Sequence, residues 1–119
     1  MNYLRSVTNI GPEKKFENKI KKFLKDNGCW YLKYFAGGQF GVAGVPDIIA
    51  CCNGVFMAIE VKGDKGKPSE LQLHTIREIT KAGGIAFVIY PKDFAAFKNL
   101  ITYVLDTGKN DKTLGDFYE

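Results

Sequence analysis

Apolar and polar residues along this chain follow two periods, and the switches between them mark its elements. From Pro12 to about Asn27, Phe16, Ile20, Phe23 and Leu24 recur every three or four positions, the spacing of one helix face. Pro12 is placed to open that helix and Gly28 to stop it. "CWYLKYFA" (29–36) reads as a strand and "GGQFGVAG" (37–44) as a glycine-rich loop. "PDIIACC" (46–52) and "VFMAIEVK" (55–62) are apolar strands on either side of Asn53-Gly54, the dipeptide of a two-residue type I′ hairpin. After the loop "GDKGKP", a helix is expected from about Ser69 to Ala82, ending at Gly83-Gly84. "IAFVIY" (85–90) is another strand. Pro91 then opens a last helix with Phe94, Phe97, Ile101, Val104 and Leu105 as its stripe. From Asp106 the chain turns polar, a tail with a late Phe117-Tyr118.

The order is α-β-β-β-α-β-α. Strands apolar on both sides call for helices on both faces, so an α/β architecture with a small mixed sheet is expected. The 119 residues suit one domain, with a core over about 12–105 and a tail over 106–119.

The hairpin turn has a chemical consequence. A two-residue turn at Asn53-Gly54 pairs Cys52 with Val55, and the same register sets Asp47 opposite Glu60 with Cβ atoms roughly 4.5–5.5 Å apart. Lys62 lies on that face too, one pleat further on. Two carboxylates this close repel unless a proton or cation lies between them, and one lysine does not neutralise both. A divalent metal does, and carboxylate oxygens suit Mg²⁺ or Mn²⁺. Such an ion activates water and stabilises charge on a phosphoryl oxygen, while Lys62 beside it could orient that water or stabilise the transition state.

These residues carry a resemblance. Pro46-Asp47 followed by Glu60-Val61-Lys62 resembles the PD-(D/E)xK nuclease signature. With "GVPD", "IEVK", "GKPSELQ" and "AGG" before a strand, the chain resembles the VRR-NUC branch, including its stand-alone phage and prophage proteins, over roughly Pro12 to Leu100. The resemblance implies a restriction-endonuclease-like fold and a metal-dependent endonuclease, often homodimeric, related to Holliday junction resolvases. It implies Asp47 and Glu60 as metal-binding acids with Mg²⁺ or Mn²⁺, the Val61 carbonyl as a further ligand and Lys62 as the catalytic lysine. It also points to Gln72 as a site residue. Ser69-x-x-Gln72 fits a capping box equally well, but Gln72 shares a helical face with Ile76, Ile79 and Gly83, so its amide points inward and needs a partner. The branch adds a glutamate from the first helix, and Glu13 and Glu17 both lie on one face at the edge of the apolar stripe. Spacing to Gly28 favours Glu17 and the "E-x-x-F-E" context favours Glu13, so both stay open.

Charge and composition adjust this picture slightly. The net charge of +4, from 17 Lys+Arg against 13 Asp+Glu, leans toward a polyanionic partner. Lys65 and Lys67 follow Lys62 closely and are candidates for DNA phosphate contacts. The six lysines of the first helix suit a solvated face as well as they suit phosphates. "GGQFGVAG" is no Walker loop, because no Gly-Lys-Ser/Thr opens a helix. His74 falls off the apolar face of its helix and is expected in solvent. Cys29, Cys51 and Cys52 have no zinc spacing, and adjacent strand residues point apart, so buried free thiols are expected. No apolar run approaches the ~18 residues of a membrane span and no secretory signal opens the chain, so the expectation is a cytoplasmic protein without a membrane.

The leading expectation is a divalent-metal-dependent, structure-specific DNA endonuclease, Holliday junction resolvase-like, acting on branched DNA as a homodimer. A flap or single-strand nuclease of the same fold, or a non-catalytic DNA-binding module, is the alternative.

Overall fold

A computed structural model describes residues 10–35 and 41–118. Helix α1 spans Pro12–Asp26, with Pro12 in its first turn and Gly28 at φ +78° just beyond its end. Strands β1 (Trp30–Lys33), β2 (Ile48–Cys52) and β3 (Val55–Val61) follow. Helix α2 (Glu70–Lys81) leads to β4 (Ile85–Ile89). A 3-10 turn over Pro91–Asp93 precedes helix α3 (Phe94–Thr107), and a second 3-10 turn over Leu114–Phe117 ends the described chain. The sheet order is β1-β2-β3-β4. The first three strands are antiparallel neighbours and β4 runs parallel to β3, as a helical crossover through α2 requires. The α-β-β-β-α-β-α order and the mixed sheet with flanking helices are as the hydrophobic pattern predicts.

The hairpin is the predicted one. Asn53 sits at φ +48° and Gly54 at φ +80°, the left-handed pair of a type I′ turn. Cys52 pairs with Val55 and Ile48 with Ile59, so the register runs on toward Asp47 and Glu60. The Asn53 side chain is tied to the end of α3, its amide donating to Leu105 O at 3.0 Å and Val104 O at 3.4 Å.

Alternation divides the sheet into two unlike faces. One carries Ile48, Ala50, Cys52, Val55, Met57, Ile59, Val61, Ile85, Phe87 and Ile89, all in one buried core with Phe16, Ile20 and Leu24 of α1 and Phe97, Leu100, Ile101 and Val104 of α3. Phe94 stacks on Phe97 and meets Phe16 and Phe23 edge-on, joining the two helices. Leu114 is buried against the same core, so the C-terminal turn is docked.

The opposite face is covered only in part. Helix α2 lies there, drawn close at Gly84, where a Cβ would sit 2.9 Å from both Ile79 and Phe56. None of its residues is fully buried. Trp30, Leu32 and Phe56 on this face stay exposed. The expectation of helical cover on both faces therefore holds for the β3–β4 half and fails for β1 and β2.

Smaller differences have local causes. The first strand ends at Lys33 rather than Ala36, and residues 36–40, including the first half of the glycine-rich loop, lie outside the described residues. Helix α3 starts after a 3-10 turn because the buried Asp93 carboxylate accepts from Tyr90 N–H at 2.9 Å and holds the chain in that turn first. It also continues one residue past Asp106. Cys29 and Cys52 are buried free thiols as expected, but Cys51 is exposed, because alternation points it at the uncovered half of the sheet.

Candidate active site

The predicted site residues gather where β2 and β3 open away from their turn. Asp47 stands one residue before β2. Its Oδ2 accepts from Val61 N–H at 2.8 Å, so a carboxylate takes the place of a main-chain ladder partner there. That substitution explains why β2 begins at Ile48 while the register still carries Asp47 to Glu60. The Asp47 carbonyl accepts from Tyr34 N–H at 2.8 Å, which fixes its backbone.

Glu60 is the site's unusual group. Its side chain is only 2% exposed, on a strand walled by apolar neighbours. Oε2 accepts from Gln72 Nε2 at 3.1 Å and pairs with Lys62 Nζ at 3.2 Å. Oε1 is buried with no partner among the described residues. Burial first, and then the charge of Asp47, push the Glu60 carboxyl up to about 7 against the opposing pull of Lys62. Near neutrality this acid is therefore poised between its two forms.

Gln72 caps α2 and also touches Glu60. Its Oε1 accepts from Ser69 N–H at 2.8 Å while Ser69 Oγ accepts from Gln72 N–H at 3.1 Å, a complete capping box. Its remaining donor reaches Glu60. The cap fixes the amide's orientation, and the amide orients the carboxylate.

The two helix-one glutamates go to different places. Glu17 is nearly buried, at 7% side-chain exposure, and is held by Lys14 at 2.8 Å, Lys21 at 3.1 Å and Lys33 at 2.6 Å. Burial alone would raise its carboxyl, but these three ammonium groups outweigh that and lower it to about 2. Lys33 Nζ also lies 3.4 Å from Asp47 Oδ1, so Glu17 connects to Asp47 through a lysine. Glu13 is exposed and its Oε1 accepts from Gly63 N–H at 3.1 Å, tying the first turn of α1 to the loop just after Lys62.

No three acidic, histidine or cysteine side chains among the described residues form a metal-binding cluster. Asp47 and Glu60 lie together, while Glu17 pairs with three lysines and Glu13 bonds the Gly63 N–H. The pair itself fits a divalent cation. It offers hard oxygen ligands, one with an orphaned buried lone pair, and two carboxylates held near one another at a cost that a cation removes.

Residues 8–93 of the sequence match the family model for the archaeal Holliday junction resolvase (Hjc). The match covers well over half of the chain. The protein belongs to the Hjc family. No curated protein matches it. Hjc membership accounts for the fold and implies a nuclease that resolves Holliday junctions, and so binding of branched DNA. The matched segment contains every predicted site residue and ends before α3.

Within the Hjc frame, three residues near the site escaped sequence reasoning. Lys33 is the most consequential. It lies on the core-facing side of β1 together with Tyr31, and a lone lysine within the apolar run "CWYLKYFA" is the signal that marks it. Lys92 and Tyr90 are the others. Together with Asp64, Lys65, Gly66 and Lys67 they line an open cleft of about 580 Å³ next to Lys62. Tyr90 Oη donates to Gly66 O at 3.0 Å and so shapes the loop that presents Lys65 and Lys67.

The lysines of α1 are mostly engaged within the fold. Lys14 and Lys21 bind Glu17, Lys22 binds Asp26 at 2.7 Å, and Lys19 caps the Phe94 ring at 4.4 Å. His74 is exposed and 3.9 Å from Glu78, as its position off the apolar face predicts. No helix among the described residues is long and apolar enough to cross a membrane.

Proposed function

We propose that the protein is a divalent-metal-dependent endodeoxyribonuclease that hydrolyses phosphodiester bonds at four-way junctions, acting as a homodimer. The observation that carries this reading is the buried Glu60 carboxylate, crowded by Asp47 and left with one unpartnered oxygen. A binding module has no use for so costly an arrangement beside DNA phosphates.

Asp47, Glu60 and the Val61 carbonyl would hold Mg²⁺ or Mn²⁺, which when bound supplies an activated water and a counter-charge for the phosphoryl oxygens. Gln72, fixed by its capping box, keeps Glu60 in one orientation. Lys62 places its ammonium 3.2 Å from Glu60 Oε2, where it can donate to the attacking water or to a non-bridging phosphate oxygen. Glu17 serves as a positioning residue, because its carboxylate holds Lys33 beside Asp47 and so keeps a second cation at the site. Glu13 steadies the loop after Lys62, and Lys65 and Lys67, with Lys92 across the cleft, meet DNA phosphates flanking the cut.

Resolving a four-way junction takes two cuts and so two sites, which is the reason for the homodimer. The test is cleavage of junction, flap, nicked and linear DNA with Mg²⁺, with Mn²⁺ and with EDTA. Junction cleavage that EDTA stops, and that falls at least about 100-fold in Asp47→Ala and Lys62→Ala, is expected. Preference for flaps or single strands would reassign the substrate. Undiminished cutting by either folded variant would overturn the mechanism, and binding without cleavage would leave a DNA-binding module.

A further inference from the structure

Lys62 follows β3 directly and carries its ammonium on a stem of methylenes, a chain with much rotamer freedom to lose. The ammonium stays 3.2 Å from Glu60 Oε2, and the side chain is only 17% exposed, so the stem is restrained. The turn that follows supplies the restraint. It closes back on itself, with Gly66 N–H donating to Gly63 O at 3.0 Å. A Cβ placed on Gly66 would lie 3.3 Å from Lys62 Cδ and 3.4 Å from Lys62 Cβ, so the bare main chain of Gly66 lies against the stem. Gly66 is not one of the glycines at positive φ. Glycine serves there for closeness rather than for backbone conformation.

Three bonds from other elements hold the turn. Lys62 N–H donates to Ile89 O of β4 at 3.0 Å, Gly63 N–H to Glu13 Oε1 of α1 at 3.1 Å, and Tyr90 Oη to Gly66 O at 3.0 Å. Of these, the Tyr90 bond is the one made to the residue that touches the stem. Tyr90 is itself firmly placed. It follows β4 directly, its N–H donates to the buried Asp93 carboxylate at 2.9 Å, and Pro91 restricts its backbone from the other side.

We infer that Tyr90 is a positioning residue for Lys62: its hydroxyl holds Gly66 against the lysine stem, and the stem in turn keeps the ammonium beside Glu60. The inference deepens the proposed nuclease and rests on the role given there to Lys62. It differs from shaping a loop that presents Lys65 and Lys67. Presentation acts on DNA binding, whereas the placing of Lys62 acts on the cleavage step.

Tyr90→Phe keeps the ring and removes only the donor, and Gly66→Ala presses on the stem directly. Under single turnover with saturating protein, each is expected to lower the junction cleavage rate about 3–10-fold, with the junction dissociation constant in EDTA and the circular dichroism unchanged. In a Lys62→Ala background, Tyr90→Phe is expected to lower the residual rate no further. A second measurement needs neither DNA nor cleavage. Labelling of the metal-free protein with an amine-reactive ester, read by peptide mass mapping, is expected to be slow at Lys62 in the wild type and several-fold faster in Tyr90→Phe. The exposed Lys22 is the unchanged reference. A wild-type cleavage rate in Tyr90→Phe would overturn the inference. So would a loss of rate matched by a loss of binding, an equal loss in the Lys62→Ala background, or unchanged labelling of Lys62. A wild type that cuts no DNA would refute the nuclease reading, and the labelling would still decide what Tyr90 does to Lys62.

Discussion

Replacing Glu60 with glutamine should make the metal-free protein more stable while removing its activity. The perturbation is nearly isosteric and acts on charge alone. Burial and Asp47 raise the Glu60 carboxyl from 4.5 to about 7, which corresponds to roughly 3 kcal/mol carried against the ionised form. The sign follows from linkage. The folded state holds this proton more tightly than the unfolded chain, so the stabilisation is complete below about 4.5 and lost as pH rises through about 7. At pH 8 in EDTA the wild type carries the full penalty and Glu60→Gln carries none. The new amide oxygen can still accept from Gln72 and Lys62, and its NH₂ can donate to Asp47 where an orphaned oxygen stood. Loss of part of the Lys62 ion pair offsets some of the gain, leaving about 1–3 kcal/mol and a Tm about 4–10 °C higher. Thermal unfolding followed by circular dichroism from pH 5 to pH 9 measures it directly. Wild-type stability should fall across neutrality and recover with Mg²⁺ or Mn²⁺, whereas the variant should do neither and should not cut DNA. A variant no more stable than wild type at pH 8, or equal pH profiles, would refute the reasoning.

The other predictions concern the flanks of the site. Glu17→Gln leaves Lys14, Lys21 and Lys33 without their shared carboxylate and should cost about 3 kcal/mol, read as a lower urea midpoint at pH 6. Because the Glu17 carboxyl is lowered to about 2, its contribution is present above about 4.5 and lost as pH falls toward 2, so wild type and variant should converge near pH 2. Lys65→Ala and Lys67→Ala should weaken junction binding for all sequences alike, each reducing the slope of log K against log salt by about 0.9. An unchanged slope in titrations between 50 and 200 mM salt would remove these residues from the DNA surface.

What could be read from the sequence was what depends on local chemistry. Asn53-Gly54 dictates its own backbone and hence the register, so the approach of Asp47 to Glu60 followed from counting. Gln72 was legible for the same reason, since a cap and an inward helical face are both local patterns. The choice between Glu13 and Glu17 was not legible. What separates them is a lysine on β1, Lys33, sixteen residues beyond Glu17, and its placement depends on how α1 packs on the sheet. The exposed face was hidden for a related reason. Trp30, Leu32 and Phe56 belong to strands expected to be covered on both faces, and the pattern records which side is apolar but not whether anything in the same chain covers it.

The Asn53-Gly54 turn is also one of two Asn-Gly dipeptides in the chain, the other being Asn27-Gly28 at the end of α1. An asparagine followed by glycine is open to attack by the next main-chain nitrogen on its side-chain amide, and asparagine is among the thermolabile residues. Here the amide is held by the last carbonyls of α3, which restrains that attack while the helix end stays in place. Once the amide is lost, an aspartate would set a negative charge against a helix C-terminus, where it is disfavoured. An isoaspartate would add a methylene to a turn that tolerates only two residues. Either product loosens a register whose far end, about 20 Å along the strand, holds Asp47 against Val61. Damage at the turn would thus reach the candidate site through the register of the hairpin, from the end farthest from Asp47 and Glu60.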